Sequence, residues 1–183
     1  MSYFNIVAET SENTVVTEYT PVKSRSTNYQ SEAALEAEFI RMLQEQGYEY
    51  LKINSEKELI DNLRTQLEKL NYYHFSDNEW ERLFKDNIAN QNEGIAEKTR
   101  KIQEDNIQVL KRDDRSTKNI TLIDKKNIHN NYLQVINQYE VSKDDGAKHN
   151  NRYDVTILVN GFPLVHVELK RRGVAIKEAF NQI

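Results

Sequence analysis

The sequence contains no cysteine, which excludes disulfide bonds, thiolate zinc sites and cysteine nucleophiles. It also lacks any apolar run approaching the ~20 residues that cross a bilayer. Its N-terminus, MSYFNIVAETSENT, has no basic region followed by an apolar segment and therefore does not resemble a secretory signal. Together these absences favour a cytoplasmic protein with no membrane segment.

The composition is that of a polar globular domain. Of the 183 residues, 38% are hydrophobic and 9% aromatic, which is enough for one hydrophobic core. The net charge of −4 means that the chain as a whole does not attract nucleic acid, although a local basic patch can do so. No GxxxxGK(S/T) sequence occurs, so the chain has no P-loop for ATP.

Helices are predicted from caps and hydrophobic periodicity, because only two prolines and five glycines punctuate the chain. Residues 1–30 are predicted to form an N-terminal arm with a short strand at 14–19, and residues 31–183 a single domain. Ser31 is a good N-cap for a helix that ends before Gly47. The apolar stripe of this helix is predicted to consist of Leu35, Phe39, Met42 and Leu43.

Two acidic residues, Glu32 and Glu36, lie on or beside this apolar stripe and are predicted to point inward. A helical segment follows over about residues 55–110, and its last helix is predicted over 95–110. Two pairs in this segment have the spacing of capping boxes, namely Ser55 with Glu58 and Ser76 with Glu79.

The second half of the chain has the two-residue periodicity of strands. Predicted strands occupy residues 119–123, 133–141, 153–159 and 164–169, and a helix follows over 174–183. In the strand 133–141, the alternation of apolar residues predicts one half-buried face. The order of helices, mainly antiparallel strands and a final helix predicts a mixed α and β (α+β) domain.

The last two predicted strands carry the side chains that suggest chemistry. His166, Glu168 and Lys170 share one strand face because side chains alternate, and Asp154 lies in the neighbouring strand. Two carboxylates, waters and a substrate phosphate are a sufficient ligand set for Mg²⁺. A lysine beside such a site adds positive charge near the reacting phosphate.

The turn between these strands tests the metal-site interpretation. A simple two-residue hairpin at Asn160-Gly161 would place Asp154 opposite Val167, on the wrong face for Glu168. A three-residue connection or one bulge would restore Asp154 opposite Glu168. The interpretation therefore predicts an odd loop length or a bulge here.

A simpler interpretation is that Glu168 and Lys170 form a salt bridge on a solvated face, since charged residues make up 30% of the chain. His166 is interpreted as a sheet-packing residue. The catalytic interpretation is favoured by a basic run after the strand, formed by Lys170, Arg171 and Arg172 and followed by Lys177. Such a patch in an acidic protein can hold DNA phosphate.

The stretch NRYDVTILVNGFPLVHVELKRRGVAIKEAFNQI resembles the nuclease motif region of the R (restriction, HsdR) subunit of type I restriction–modification enzymes. YQSEAALEAEFIRMLQEQGYEYL resembles the opening helix of that family, and TLIDKKN its internal strand. The resemblance covers about residues 28–183. It implies a PD-(D/E)xK restriction-endonuclease-like core, in which a mixed central β-sheet is flanked by helices.

The resemblance also implies roles for individual residues. Asp154 and Glu168 would be the metal ligands and Lys170 the catalytic lysine. An acid on the first core helix often completes the metal site in such nucleases, and either Glu32 or Glu36 is the candidate.

Gln182 matches the first position of the Gln-x-x-x-Tyr motif that the family carries on the following helix, a motif implicated in nuclease function or its coupling. The tyrosine of that motif would be residue 186. The resemblance therefore implies that this chain is a C-terminally truncated fragment of a longer subunit.

The function implied by the resemblance is that of a Mg²⁺-dependent endonuclease domain that cleaves double-stranded DNA. Specificity (S) and methyltransferase (M) subunits would be its partners. ATP would act only through motor domains outside this chain, which translocate DNA before cleavage. Two alternatives are a non-catalytic DNA-binding or docking module and a structural domain whose helical segment contacts partner subunits.

Overall fold

The computed structural model describes residues 3–9, 15–20, 31–141 and 151–170, with side chains over 31–139 and 153–170. Its strands are β1 (Tyr3–Glu9), β2 (Val15–Thr20), β3 (Glu49–Tyr50), β4 (Ile107–Lys111), β5 (Thr117–Thr121), β6 (Leu133–Val141), β7 (Asn151–Val159) and β8 (Phe162–Val167). Its α-helices are α1 (Glu32–Glu45), α2 (Glu56–Asn71), α3 (Asp77–Arg82) and α4 (Ile95–Gln103). A π-helical segment, Leu83–Ile88, follows α3, and a short 3₁₀ helix, Ile128–Asn130, precedes β6.

Backbone contacts divide the chain into two units, Met1–Gln30 and Ser31–Ile183. The first unit holds the antiparallel pair β1–β2, whose register shifts between Ile6 and Ala8. The strand predicted at 14–19 is confirmed as β2. The strand β1 was not predicted, because the residues between the two strands include neither glycine nor proline to signal a hairpin.

The second unit is built on a four-stranded sheet with the order β3-β6-β7-β8. Since β3 is parallel to β6 and the other pairs are antiparallel, the sheet is mixed. Helix α1 covers one face, where Leu43 packs against Val135 and Val155. The segment leading into α2 covers the other face, where Ile53 packs against Ile136. The predicted fold class, a mixed central sheet flanked by helices, is confirmed.

The predicted helix starts are confirmed by side-chain caps. The hydroxyls of Ser31 and Ser55 each accept a hydrogen bond at 3.2 Å from the backbone amide three residues later. Ser76 and Glu79 form a complete capping box. Glu58 accepts instead from the amide that precedes Ser55, at 2.7 Å, so the second box is shifted by one residue.

The buried stripe of α1 differs from the prediction at Met42, whose side chain is 47% exposed. Ile40 packs beside Phe39 in its place, so the stripe is rotated by part of a turn. Of the two acids predicted to point inward, Glu36 is half-buried but Glu32, in the first turn, is exposed. The prediction for Glu32 is therefore wrong, because the first turn of α1 extends beyond the apolar cluster.

A second hydrophobic cluster joins α2, α3, the π-helical segment and the β4–β5 hairpin to the start of β8. Its buried members are Leu63, Leu67, Phe75, Trp80, Leu83, Leu110, Ile120, Leu122 and Phe162. The helix predicted over 95–110 ends at Gln103, so that prediction is wrong for the residues that form β4. There Gln108 and Leu110 are buried while Val109 is 54% exposed, a two-residue period that favours a strand.

The turn between β7 and β8 has two residues, Asn160 and Gly161, with φ of 51° and 84°. Positive φ at both positions is typical of the tight hairpin turns that match strand twist. A Cβ on Gly161 would lie 2.6 Å from Cα of Leu63 in α2, so only glycine fits this approach. The turn therefore fixes the hairpin against the second hydrophobic cluster.

A bulge interrupts the β7–β8 ladder just after this turn. The pairing shifts by one residue between Ile157 and Leu158, and Leu164 is the extra residue of β8. Beyond the bulge, Val155 pairs with Val167. The bulge predicted from the spacing of the candidate metal ligands is therefore confirmed.

Candidate active site

Asp154 lies on β7, and Glu168 directly follows the last residue of β8, where the β7–β8 ladder ends. The register of the last pair, Val155 with Val167, places Asp154 opposite Glu168. The carboxylate of Asp154 accepts a hydrogen bond through Oδ2 from the backbone amide of Leu169 at 2.8 Å. This bond holds Asp154 against the segment that carries Glu168.

Glu168 and Lys170 form an ion pair in which Nζ lies 2.6 Å from Oε1. The side chains are only 9% and 17% exposed, respectively, so the pair does not lie on a solvated face. The hydrogen bond that Lys170 donates to Glu168 raises the pKa of Lys170 although burial acts against it, and the charges of Glu32 and Asp154 add to the rise. Lys170 is therefore a fixed positive charge at neutral pH.

Helix α1 brings one of its two candidate acids to this site. Glu32, at the first turn of α1, is close enough for its charge to raise the pKa of Lys170. Glu36, one turn later, accepts hydrogen bonds from the side-chain amides of Asn137 and Gln138 on β6. The two acids thus face different partners.

His166 lies on β8 before Glu168, and its environment is aromatic and polar. Its ring stacks on Tyr153 with a centroid distance of 3.9 Å, and Nδ1 lies 2.9 Å from Oγ1 of Thr156. Although part of the residue is exposed, burial of the ring lowers its pKa and favours the neutral imidazole.

The donor set fits a hard divalent cation bound by few protein ligands. Within the described residues, hydrogen bonds engage Oδ2 of Asp154 and Oε1 of Glu168, which leaves a second oxygen on each carboxylate. The same part of the chain contains no group of three or more His, Asp or Glu side chains that could hold a metal. Two carboxylates suit Mg²⁺, which keeps several waters and also binds substrate phosphate.

Several predicted residues lie outside the described part of the chain. They are the candidate phosphate contacts Arg171, Arg172 and Lys177, the motif residue Gln182 and the helix predicted over 174–183.

Sequence reasoning missed a feature of β6. The alternation in this strand predicted one half-buried face, and the bounds Leu133–Val141 are confirmed. The face changes along the strand, however, because Val135 packs on the α1 side whereas Tyr139 packs with Ile136 on the other. Gln138 lies between them with φ of 53°. A glutamine gives no sequence signal for such a conformation.

The described residues include no helix long and apolar enough to cross a bilayer.

Among the known proteins similar to this chain are several endonuclease subunits, of which three are described here. The type I restriction enzyme EcoprrI endonuclease subunit of Escherichia coli is 46% identical over 178 residues, which is 97% of this chain and 56% of that protein. The SsaAORF53P endonuclease subunit of Staphylococcus saprophyticus is 44% identical over 160 residues, or 85% of this chain and 16% of that protein. The SauMSSORF170P endonuclease subunit of Staphylococcus aureus is 45% identical over the same length, with the same coverage.

The chain thus spans 56% of the length of the first relative and 16% of the other two. A family model described as the type I restriction enzyme R protein N terminus matches residues 29–183. The match includes α1, the mixed sheet and the bulged hairpin that carries Asp154 and Glu168. The chain therefore belongs to the type I restriction enzyme R protein family, with the sequence of its N-terminal region.

Proposed function

We propose that this chain is the nuclease domain of a type I restriction enzyme and hydrolyses phosphodiester bonds of double-stranded DNA with Mg²⁺. The observation that supports this most is the bulge at Leu164, because it aligns Asp154 with Glu168. A hairpin without a bulge would place Val167 opposite Asp154 and leave the two carboxylates on different faces of the sheet. Placement of Lys170 beside Glu168 adds the third group that the reaction needs.

Each residue has a distinct role in this proposal. Asp154 and Glu168 would hold the metal, and Glu32 would support the site from α1. Mg²⁺ bound there would activate a water and offset negative charge at the phosphate. Lys170, whose ammonium group lies 2.6 Å from Glu168, would supply positive charge beside the phosphate. Arg171, Arg172 and Lys177 are proposed to contact neighbouring phosphates.

The remaining activities of the intact enzyme are proposed to lie outside this chain. Specificity and methyltransferase subunits would select the DNA, and ATP-driven translocation by other domains of the R protein would precede cleavage. Gln182 would support the site through the Gln-x-x-x-Tyr motif.

A second candidate function is a non-catalytic DNA-binding or docking module. The ion pair itself favours this alternative, since Lys170 already neutralises Glu168 and a well-covered salt bridge can be purely structural. The two functions differ in whether the negative charge of Glu168 is needed for cleavage.

The decisive experiment compares the complete R protein with its Glu168→Ala variant, each assembled with its partner subunits on unmethylated plasmid with Mg²⁺ and ATP. We expect DNA cleavage to be lost and ATP hydrolysis to be retained. Glu45→Ala is the matched control, because it removes an exposed acid from α1 that pairs only with Arg41 among the described residues. Cleavage retained by Glu168→Ala would establish the docking alternative.

A further inference from the structure

Gln138 has a left-handed backbone, with φ of 53°, in the interior of β6. Residues other than glycine rarely adopt this conformation, and those that do cluster at functional sites. The ladder pairs on either side of it are Asn137 with Val155 and Tyr139 with Tyr153. Gln138 therefore lies directly opposite Asp154.

The left-handed residue reverses the faces of β6 at this point. Successive side chains of a strand normally point to opposite faces. Here the amides of both Asn137 and Gln138 donate to the carboxylate of Glu36 on α1. The next residue, Tyr139, packs with Ile136 on the opposite face.

The neighbouring strand β7 shows the same irregularity. Tyr153 stacks on His166, which is bonded to Thr156, whereas Val155 packs on the α1 face. Residues 153 and 155 would share a face in a regular strand. Both strands thus change faces around Asp154, so the backbone of Gln138 and the position of Asp154 are set together.

Glu36 anchors this arrangement. Its Oε1 accepts from Asn137 and its Oε2 from Gln138. Tyr50 further fixes Asn137, since its hydroxyl donates to Oδ1 at 2.8 Å. Because both oxygens of Glu36 accept hydrogen bonds from amide donors, this carboxylate binds β6.

We propose that Glu36 is a positioning residue that acts through the left-handed Gln138 to fix Asp154, and that it does not bind the metal. This inference rests on the proposed nuclease function, in which Asp154 is a metal ligand. The two acids of α1 then have different roles: Glu32 supports the metal site, and Glu36 holds β6 through hydrogen bonds.

Metal binding gives the first test. Mn²⁺ binding to the complete R protein is measured from the electron paramagnetic resonance signal of the free ion, and the site lost in Asp154→Ala defines the nuclease site. We expect Glu36→Ala and Gln138→Val each to weaken this site by about tenfold, as loss of outer partners of metal ligands does. The double variant should bind Mn²⁺ no more weakly than the weaker-binding single variant, because both changes break the same contact between Glu36 and Gln138.

The backbone conformation is tested separately by a pair of substitutions at Gln138. Glycine adopts positive φ freely, whereas β-branched valine does not. Gln138→Gly should therefore bind Mn²⁺ more tightly than Gln138→Val. Tyr72→Val is the matched control, since Tyr72 also has positive φ, at 48°, and its side chain is 97% exposed. This control should disturb the backbone equally and leave Mn²⁺ binding and DNA cleavage unchanged.

Two outcomes would overturn the inference. If the double variant lost Mn²⁺ affinity by the product of the two single losses, Glu36 would act independently of Gln138, as a metal ligand would. If Mn²⁺ binding were unchanged in both Glu36→Ala and Gln138→Val, Glu36 would have no positioning role. Failure of the nuclease proposal is distinguishable, because cleavage would then survive in Asp154→Ala.

Discussion

The carboxylate of Asp154 is hydrogen-bonded to the backbone amide of Leu169, 2.8 Å away on the neighbouring segment. Asp154 therefore has two separable properties. Its oxygen accepts the hydrogen bond that joins β7 to the end of β8, and its negative charge can bind a metal. Substitutions that keep one property and remove the other distinguish structure from chemistry.

Asp154→Asn keeps an oxygen for the Leu169 amide but removes the charge. We expect DNA cleavage by the assembled enzyme to fall by at least about a hundredfold, while the unfolding midpoint of the chain stays near that of the wild type. Asp154→Ala should lose both cleavage and stability. Wild-type cleavage by Asp154→Asn would show that the charge is not used.

Gly161→Ala should be far more destabilising than Gly47→Ala. Both glycines have positive φ, at 84° and 94°, but a Cβ meets Leu63 at 2.6 Å only in the first case. We expect Gly47→Ala to cost about 1 kcal/mol and Gly161→Ala about 2–4 kcal/mol. Urea unfolding measures both values, and equal costs would contradict the close approach of the turn to α2.

The buried carboxylate of Glu79 should make the folded chain less stable in acid. Burial alone would raise its pKa, but hydrogen bonds from Tyr73 and from the backbone amides of Ser76 and Asp113 outweigh burial and lower it below 4.5. Because the folded pKa is the lower one, its contribution is present above pH 4.5 and is lost as the pH falls through the folded value.

The corresponding variant is Glu79→Gln, which should lose about 2 kcal/mol of unfolding free energy at pH 7. The difference from wild type should shrink below pH 4.5. Glu81→Gln is the control, because Glu81 is exposed on the same helix and its pair with Lys85 is solvated. A constant difference across this pH range would mean that the charge of Glu79 is not what stabilises the fold.

Asn160 should not tolerate a carboxylate. Its side chain is fully buried; its amide donates to the carbonyl of Leu122 and to Asn131, and its oxygen accepts from the amide of Tyr132. Asn160→Asp would point a charged acceptor at two acceptors, so we expect a loss of about 3 kcal/mol or more at neutral pH.

Burial raises the pKa of such a carboxyl, so the loss at Asn160→Asp should diminish as the pH is lowered. Asn119→Asp, at an exposed position of β5, is the control and should change stability little. Similar effects at both positions would argue against the buried amide network.

Sequence reasoning worked where the determinants are local. Caps such as Ser31 and Ser76 act within three residues, and the turn at Asn160-Gly161 has its own signature, so these features were predictable. The bulge was predictable because two carboxylates on adjacent strands can meet in only one register.

Features set by distant contacts were not predictable. The sequence predicts one helix over 95–110, but Ile107–Lys111 form β4 because pairing with β5 selects the two-residue period. The choice between Glu32 and Glu36 depends on where α1 crosses the sheet, and Gln138 hydrogen-bonds to Glu36 at that crossing. Neither the choice of acid nor the conformation of Gln138 can be predicted from the spacing of residues along the chain.

The two-residue turn at Asn160-Gly161 also bears on how the site assembles during folding. Hairpins close within about 1–10 μs, so Asp154 and Glu168 can meet through local chain closure alone. Glu32 and Glu36 are remote in sequence, and long-range pairings of this kind form more slowly. We therefore expect the hairpin to form first and α1, with Glu32 and Glu36, to dock onto it afterwards.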